Sequence, residues 1–104
     1  MPATLHRMPH SILQPIPHLT LYGRHYCHLC DDMLAALEAM RCSAAPFTVE
    51  VIDVDADPAL EARFDALVPV LFGDLAAPEL CHYFLDPAAV LAWIGTEPST
   101  RGDA

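Results

Sequence analysis

Two spacings of apolar residues alternate along this chain. Leu19-Thr20-Leu21-Tyr22 is a short apolar run closed by Gly23, and it reads as a strand. From His28 to about Arg41 the spacing becomes helical. Leu29, Met33, Leu37 and Met40 recur on one face, with Leu34 beside them. Phe47 to Val54 then alternates: Phe47, Val49 and Val51 on one side, Thr48, Glu50 and Ile52 on the other. β-Branched residues and the lack of glycine predict a second strand. Asp57-Pro58 opens a helix, with Asp57 as cap and Pro58 in the first turn, and Leu60, Phe64 and Leu67 form its stripe. Val68 to Phe72 is a third strand that tolerates Pro69 near its start, where no ladder donor is needed. Gly73-Asp74 turns the chain, and Glu79 to Leu85 is expected to return as a strand. Asp86-Pro87 repeats the capping signature before a last helix built on Val90, Leu91 and Ile94, with Trp93 for bulk and Gly95 as C-terminal cap.

The predicted order is strand, helix, strand, helix, strand, strand, helix. The first two strands are joined through a helix, so they should be parallel with a right-handed crossover. The last two are joined by a short turn, so they should be antiparallel. The class is therefore α/β: a four-stranded mixed sheet with helices on both faces. One domain is expected over residues 18–96. Residues 1–17 read as a disordered N-terminal tail in which proline and histidine break every periodicity, and residues 97–104 as a flexible C-terminal tail. His6, His10 and His18 are taken as solvated rather than metal-binding.

Composition narrows the function. A hydrophobic fraction of 54% over 104 residues is ample for one core. The formal net charge is −9, from 14 acidic residues against 5 arginines and no lysine. Such a surface repels nucleic acid and anionic membranes, so neither is an expected partner. No run is long and apolar enough to span a bilayer, and no secretory core precedes the first strand. A cytoplasmic location follows as the expectation, and there a C-x-x-C pair is more often catalytic or metal-binding than a structural staple.

That pair is Cys27-His28-Leu29-Cys30, placed where the first strand gives way to the first helix. A sulfur at a helix N-cap faces unpaired N–H groups and the positive end of the helix dipole. Both favour the thiolate, whose pKa in such motifs falls to about 7 or lower. Cys27 is thus the expected nucleophile. Cys30, one turn on, is the more buried resolving thiol. His28 between them, with Arg24 and His25 just upstream, can add positive charge, while Asp31 and Asp32 oppose it. Tyr26 abuts Cys27 and could flank a substrate groove. Cys42 and Cys81 read as packing residues. The same two sulfurs could instead hold zinc or part of an iron–sulfur cluster, with His25, His28, Cys81 and His82 as further donors, although no second C-x-x-C exists.

Taken with Val68-Pro69 before the third strand and the element order, this motif resembles the glutaredoxin-like family of the thioredoxin superfamily. The resemblance implies a thioredoxin-like fold and a small dithiol–disulfide oxidoreductase, with no metal site. It also implies a cis Val68-Pro69 bond beside the cysteines, with Val68, Pro69, Tyr26 and Arg24 contacting substrate. Partners would be a disulfide-containing protein or a low-molecular-weight thiol, acting on a monomer without a bound cofactor. Glutathione is the candidate co-substrate, and Arg24 stands where a basic residue would meet its carboxylate. The family's Gly-Gly-x-Asp segment is absent, however, and Phe84-Leu85-Asp86-Pro87 stand near that place. A thioredoxin-fold module without redox turnover, serving protein contact, is the remaining alternative.

Overall fold

A computed structural model describes residues 16–43 and 46–95. The expected tails fall almost wholly outside the described residues. Strand β1 is His18–Gly23, helix α1 is His28–Ser43 and strand β2 is Thr48–Asp53. A 3-10 turn over Val54–Ala56 leads to α2, Pro58–Phe64. Strands β3, Val70–Phe72, and β4, Cys81–His82, precede α3, Pro87–Gly95. The sheet runs in the order β2-β1-β3-β4. β1 pairs parallel with β2, and β3 pairs antiparallel with both β1 and β4.

Alternation along β1 distributes the core over the two faces of the sheet. Leu19 and Leu21 join Met33 and Leu37 of α1, Leu71 of β3, and Val90 and Ile94 of α3. Tyr22 points the other way and meets Phe64 of α2 with Val70, Phe72 and Val54. Its ring stacks on Phe64 at 4.6 Å and meets Phe72 edge-on at 5.7 Å, the offset geometries that aromatic quadrupoles favour. Helices thus lie on both faces, as the sequence predicts.

The helix starts also form as expected. The Asp57 carboxylate accepts from the Ala59 N–H at 2.9 Å, with Pro58 in the first turn. Asp86 accepts from the Ala89 N–H at 3.2 Å. These side chains satisfy donors that a helix leaves open at its beginning.

Several boundaries differ. β4 has two residues rather than seven, because Tyr83 takes a left-handed backbone (φ 64°) and the Phe84 N–H turns back to the His82 carbonyl at 2.7 Å. Phe84 is consequently 69% exposed. α2 ends at Phe64, and Leu67 reaches the core from the following turn, where its N–H bonds the Phe64 carbonyl at 2.7 Å. Phe47 is buried just before β2, and Val54 just after it lies in the 3-10 turn. Val51 is 54% exposed because β2 is an edge strand. Leu91 and Cys42 are exposed rather than packed. Gly95 stays within α3 without a positive φ, so it is no left-handed cap.

Candidate active site

β1 ends at Gly23, and a turn through Arg24, His25 and Tyr26 delivers Cys27 to the head of α1. Tyr26 takes a left-handed backbone (φ 56°), which an L-residue adopts only in a tight turn of this kind, and its side chain is fully exposed. Cys27 is the cap. Its carbonyl accepts the Asp31 N–H at 3.0 Å, the first bond of the helix. Its Sγ accepts the Cys30 N–H at 3.1 Å. The two sulfurs are joined as a disulfide. Cys27 is half-buried and Cys30 only 7% exposed, so the sulfur nearer solvent is the one held by a backbone donor.

Space beneath Cys30 depends on Gly23. A Cβ there would stand 3.2 Å from the Cys30 Sγ. Gly23 also fixes the position of the proline. The β1–β3 register pairs Tyr22 with Val70, so one step further Pro69 stands beside Gly23, at the sulfur end of the sheet. Val68-Pro69 is cis, and Pro69 is fully buried while Val68 is half-buried. The Pro69 carbonyl accepts from the Tyr83 N–H at 2.9 Å, and the Tyr83 hydroxyl donates to the Ala66 carbonyl at 2.8 Å. Tyr83 therefore ties β4 to the proline loop. Sequence reasoning passes over it, since only its backbone conformation marks it out.

The basic residues are each matched with acids. Arg24 donates to both carboxylate oxygens of Asp55 at 2.8 and 3.2 Å, and to the carboxylate and carbonyl of Asp65 at 3.0 and 3.1 Å. Glu61 stands 4.0 Å away. Hydrogen bonds from Arg24 hold the Asp55 carboxyl below the usual carboxylate range, and the same pairs push the guanidinium up. The i, i+4 spacing of Glu61 and Asp65 is the sequence signal for this cluster. His25 Nδ1 lies 3.6 Å from Asp53, and His28 Nε2 lies 3.5 Å from Asp32. A cavity of about 230 Å³ opens between the first turns of α1 and the ends of β1 and β2. Cys30, His25, Asp31 and Asp53 line it, with Leu34 and Val51 among its apolar walls. Among the described residues no group of three or more His, Cys, Asp or Glu side chains is arranged to hold a metal ion. Burial pushes the Cys81 thiol up.

A disulfide spanning the first turn of the helix after β1, with a cis proline at the adjoining end of β3, places the molecule in the thioredoxin-fold class. The glutaredoxin-like domain (DUF836) matches residues 18–95, and the chain belongs to that family. It is 40% identical to protein Ne2328 of Nitrosomonas europaea, with 78% of this chain and 95% of that chain covered and a TM-score of 0.67. It is 38% identical to an X. campestris protein solved by X-ray, covering 77% and 99% with a TM-score of 0.55. Thioredoxin 1 of Thermosipho africanus shares the fold at 18% identity, covering 82% and 98% with a TM-score of 0.53. No curated protein sequence matches the chain. Among the described residues no helix is long and apolar enough to cross a membrane.

Proposed function

We propose that this protein is a small dithiol–disulfide oxidoreductase with Cys27 as nucleophile and Cys30 as resolving thiol. One observation carries the reading: the two sulfurs are bonded across the first turn of α1, the outer one capping the helix and the inner one buried. In the reduced protein the Cys27 thiolate attacks one sulfur of a substrate disulfide, and the other substrate sulfur leaves as thiolate. Cys30 then attacks Cys27, the mixed disulfide breaks, and the second substrate thiolate departs. Two electrons pass from protein to substrate, and an external thiol returns them. Helix N-terminal amides stabilise the attacking anion.

Tyr26, Val68 and Pro69 are the candidate substrate contacts, Arg24 could reach a substrate carboxylate only by giving up its bonds to Asp55 and Asp65, and His25 and His28 are the groups that tune the thiolate. A disulfide-bearing protein or a low-molecular-weight thiol such as glutathione would be the partner, in a reducing cytoplasm where C-x-x-C pairs cycle. Among the described residues no group of three or more His, Cys, Asp or Glu side chains offers a site for zinc or an iron–sulfur cluster.

Alkylation of the reduced protein across pH tests the reading. Cys27 should react half-maximally below the free-thiol value of about 8.5. Cys27→Ser should abolish reduction of insulin disulfides by dithiothreitol-coupled turnover, and Cys30→Ser should trap a mixed disulfide. A half-maximum at the free-thiol value, with no turnover by the wild type, would sink the redox reading and leave the interaction module.

A further inference from the structure

Resting on the redox reading, we infer that the cavity beside Cys30 is a proton route, and that His25, positioned by Asp53, takes the Cys30 proton in the resolving step. Cys27 is the sulfur nearer solvent and can exchange its proton with bulk water. Cys30 cannot do so easily. Cys30 as a residue is only 7% exposed and its sulfur lies close against Gly23, so its proton has no open path to bulk solvent. The cavity reaches Cys30 and does not include Cys27. At about 230 Å³ it is several times the roughly 30 Å³ that one water occupies, and His25, Asp31 and Asp53 set polar groups along its mainly apolar walls.

Besides Cys30, five charged or titratable side chains line this space: Arg24, His25, Tyr26, Asp31 and Asp53, and the Tyr26 side chain is fully exposed to solvent. Arg24 is pinned to Asp55 and Asp65, and a guanidinium accepts no proton. Among the described residues, Asp31 has no carboxylate or cationic partner to orient it. Asp53 is held in place, because its Oδ1 accepts the Asp55 N–H at 2.9 Å. Its Oδ2 lies 3.6 Å from His25 Nδ1. Facing Asp53 through Nδ1 leaves Nε2 to accept from cavity water. Imidazole is suited to exchanging protons near neutrality. The His25 ring is mostly exposed, so a proton taken from the cavity side can leave to bulk solvent. Asp55 is the other acid that acts on His25, while His28 and Asp32 pair with each other along the next turn.

The step balances. The Cys30 S–H gives its proton through water to His25. The electron pair left on sulfur forms the bond to Cys27 Sγ, and the bond from Cys27 to the substrate sulfur breaks. The substrate sulfur departs with that pair and takes a proton from solvent.

Two-phase reaction with dithiobis(nitrobenzoate) separates the halves. In a Cys42→Ser, Cys81→Ala background, attack by Cys27 releases the first nitrothiobenzoate and resolution by Cys30 the second. His25→Gln should slow the second phase about 100-fold, the low end of general-base effects, and far more than it changes the first. Asp53→Asn keeps an oxygen for the Asp55 N–H and should also slow the second phase, with a changed pH profile. His25→Ala should be rescued by added imidazole, which a merely structural role would not allow. A fast first phase with an unchanged second phase in His25→Gln, or no rescue by imidazole, overturns the relay while leaving the redox reading intact. A first phase no faster than that of a free thiol overturns the redox reading itself.

Discussion

Arg24 leaves the strand three residues before Cys27, yet its guanidinium ends between Asp55 and Asp65. It therefore clamps the motif turn to α2 and its preceding turn. Asp55 carries the pH signature of that clamp. Its folded-state carboxyl lies below the ordinary value of about 3.9, so its contribution is complete above that value and is lost as pH falls through the folded one. Arg24→Gln should be less stable than wild type at neutral pH, and the gap should narrow below about pH 4. Urea midpoints at the two ends of that range check it; equal gaps at both would refute the clamp. The free cysteines separate on burial. Cys42 is exposed, whereas desolvation holds the Cys81 thiol above its usual value. Iodoacetamide at pH 8 should label Cys42 well before Cys81, and mass spectrometry of timed samples would reveal the order. A reversed order would mean that β4 opens.

Among the elements, the joint between β3 and α3 is tightest at Gly73. A Cβ there would lie 2.5 Å from the Trp93 ring, and the residue's φ is not positive, so space and not backbone freedom demands glycine. Gly73→Ala should cost about 1–3 kcal/mol, the usual range for overpacking. Urea unfolding followed by Trp93 fluorescence would register both the lost stability and the displaced ring. An unchanged midpoint would show that α3 shifts freely. Elements of this kind were legible in sequence wherever local chemistry repeats: the i, i+4 stripe of α1, the Asp-Pro starts of α2 and α3, and the alternation of β1. The motif and its proline were legible too, because both lie at element ends. β4 was not, since Tyr83 turns the chain through a conformation that no residue type announces. The carboxylates around Arg24 and the cavity wall at Val51 and Asp53 come from elements far apart in sequence; the parallel register of β1 and β2 brings Asp53 beside Gly23, and α2 with its C-terminal cap brings Glu61 and Asp65.

At the scale of the whole molecule, charge should govern which disulfides approach under the proposed redox function. The chain carries a net −9 with no lysine. Asp55, Glu61 and Asp65 surround Arg24, whose guanidinium is already taken up by two of them, while Asp31 and Asp53 line the cavity beside the motif and Asp32 pairs with His28. An anionic disulfide must enter against this field, while one flanked by lysines is drawn along it. Two peptide disulfides identical except for flanking Lys or Glu should therefore respond oppositely to salt. Raising ionic strength from about 0.01 M to 1 M shrinks the Debye length from about 30 Å to 3 Å and removes the steering. Stopped-flow rates of the first thiol exchange should fall with salt for the lysine peptide and rise for the glutamate peptide, converging at the upper end. If both rates move together, the field at the sulfurs is not set by these acids, and selection among substrates must come from contacts around Tyr26 and Pro69 instead.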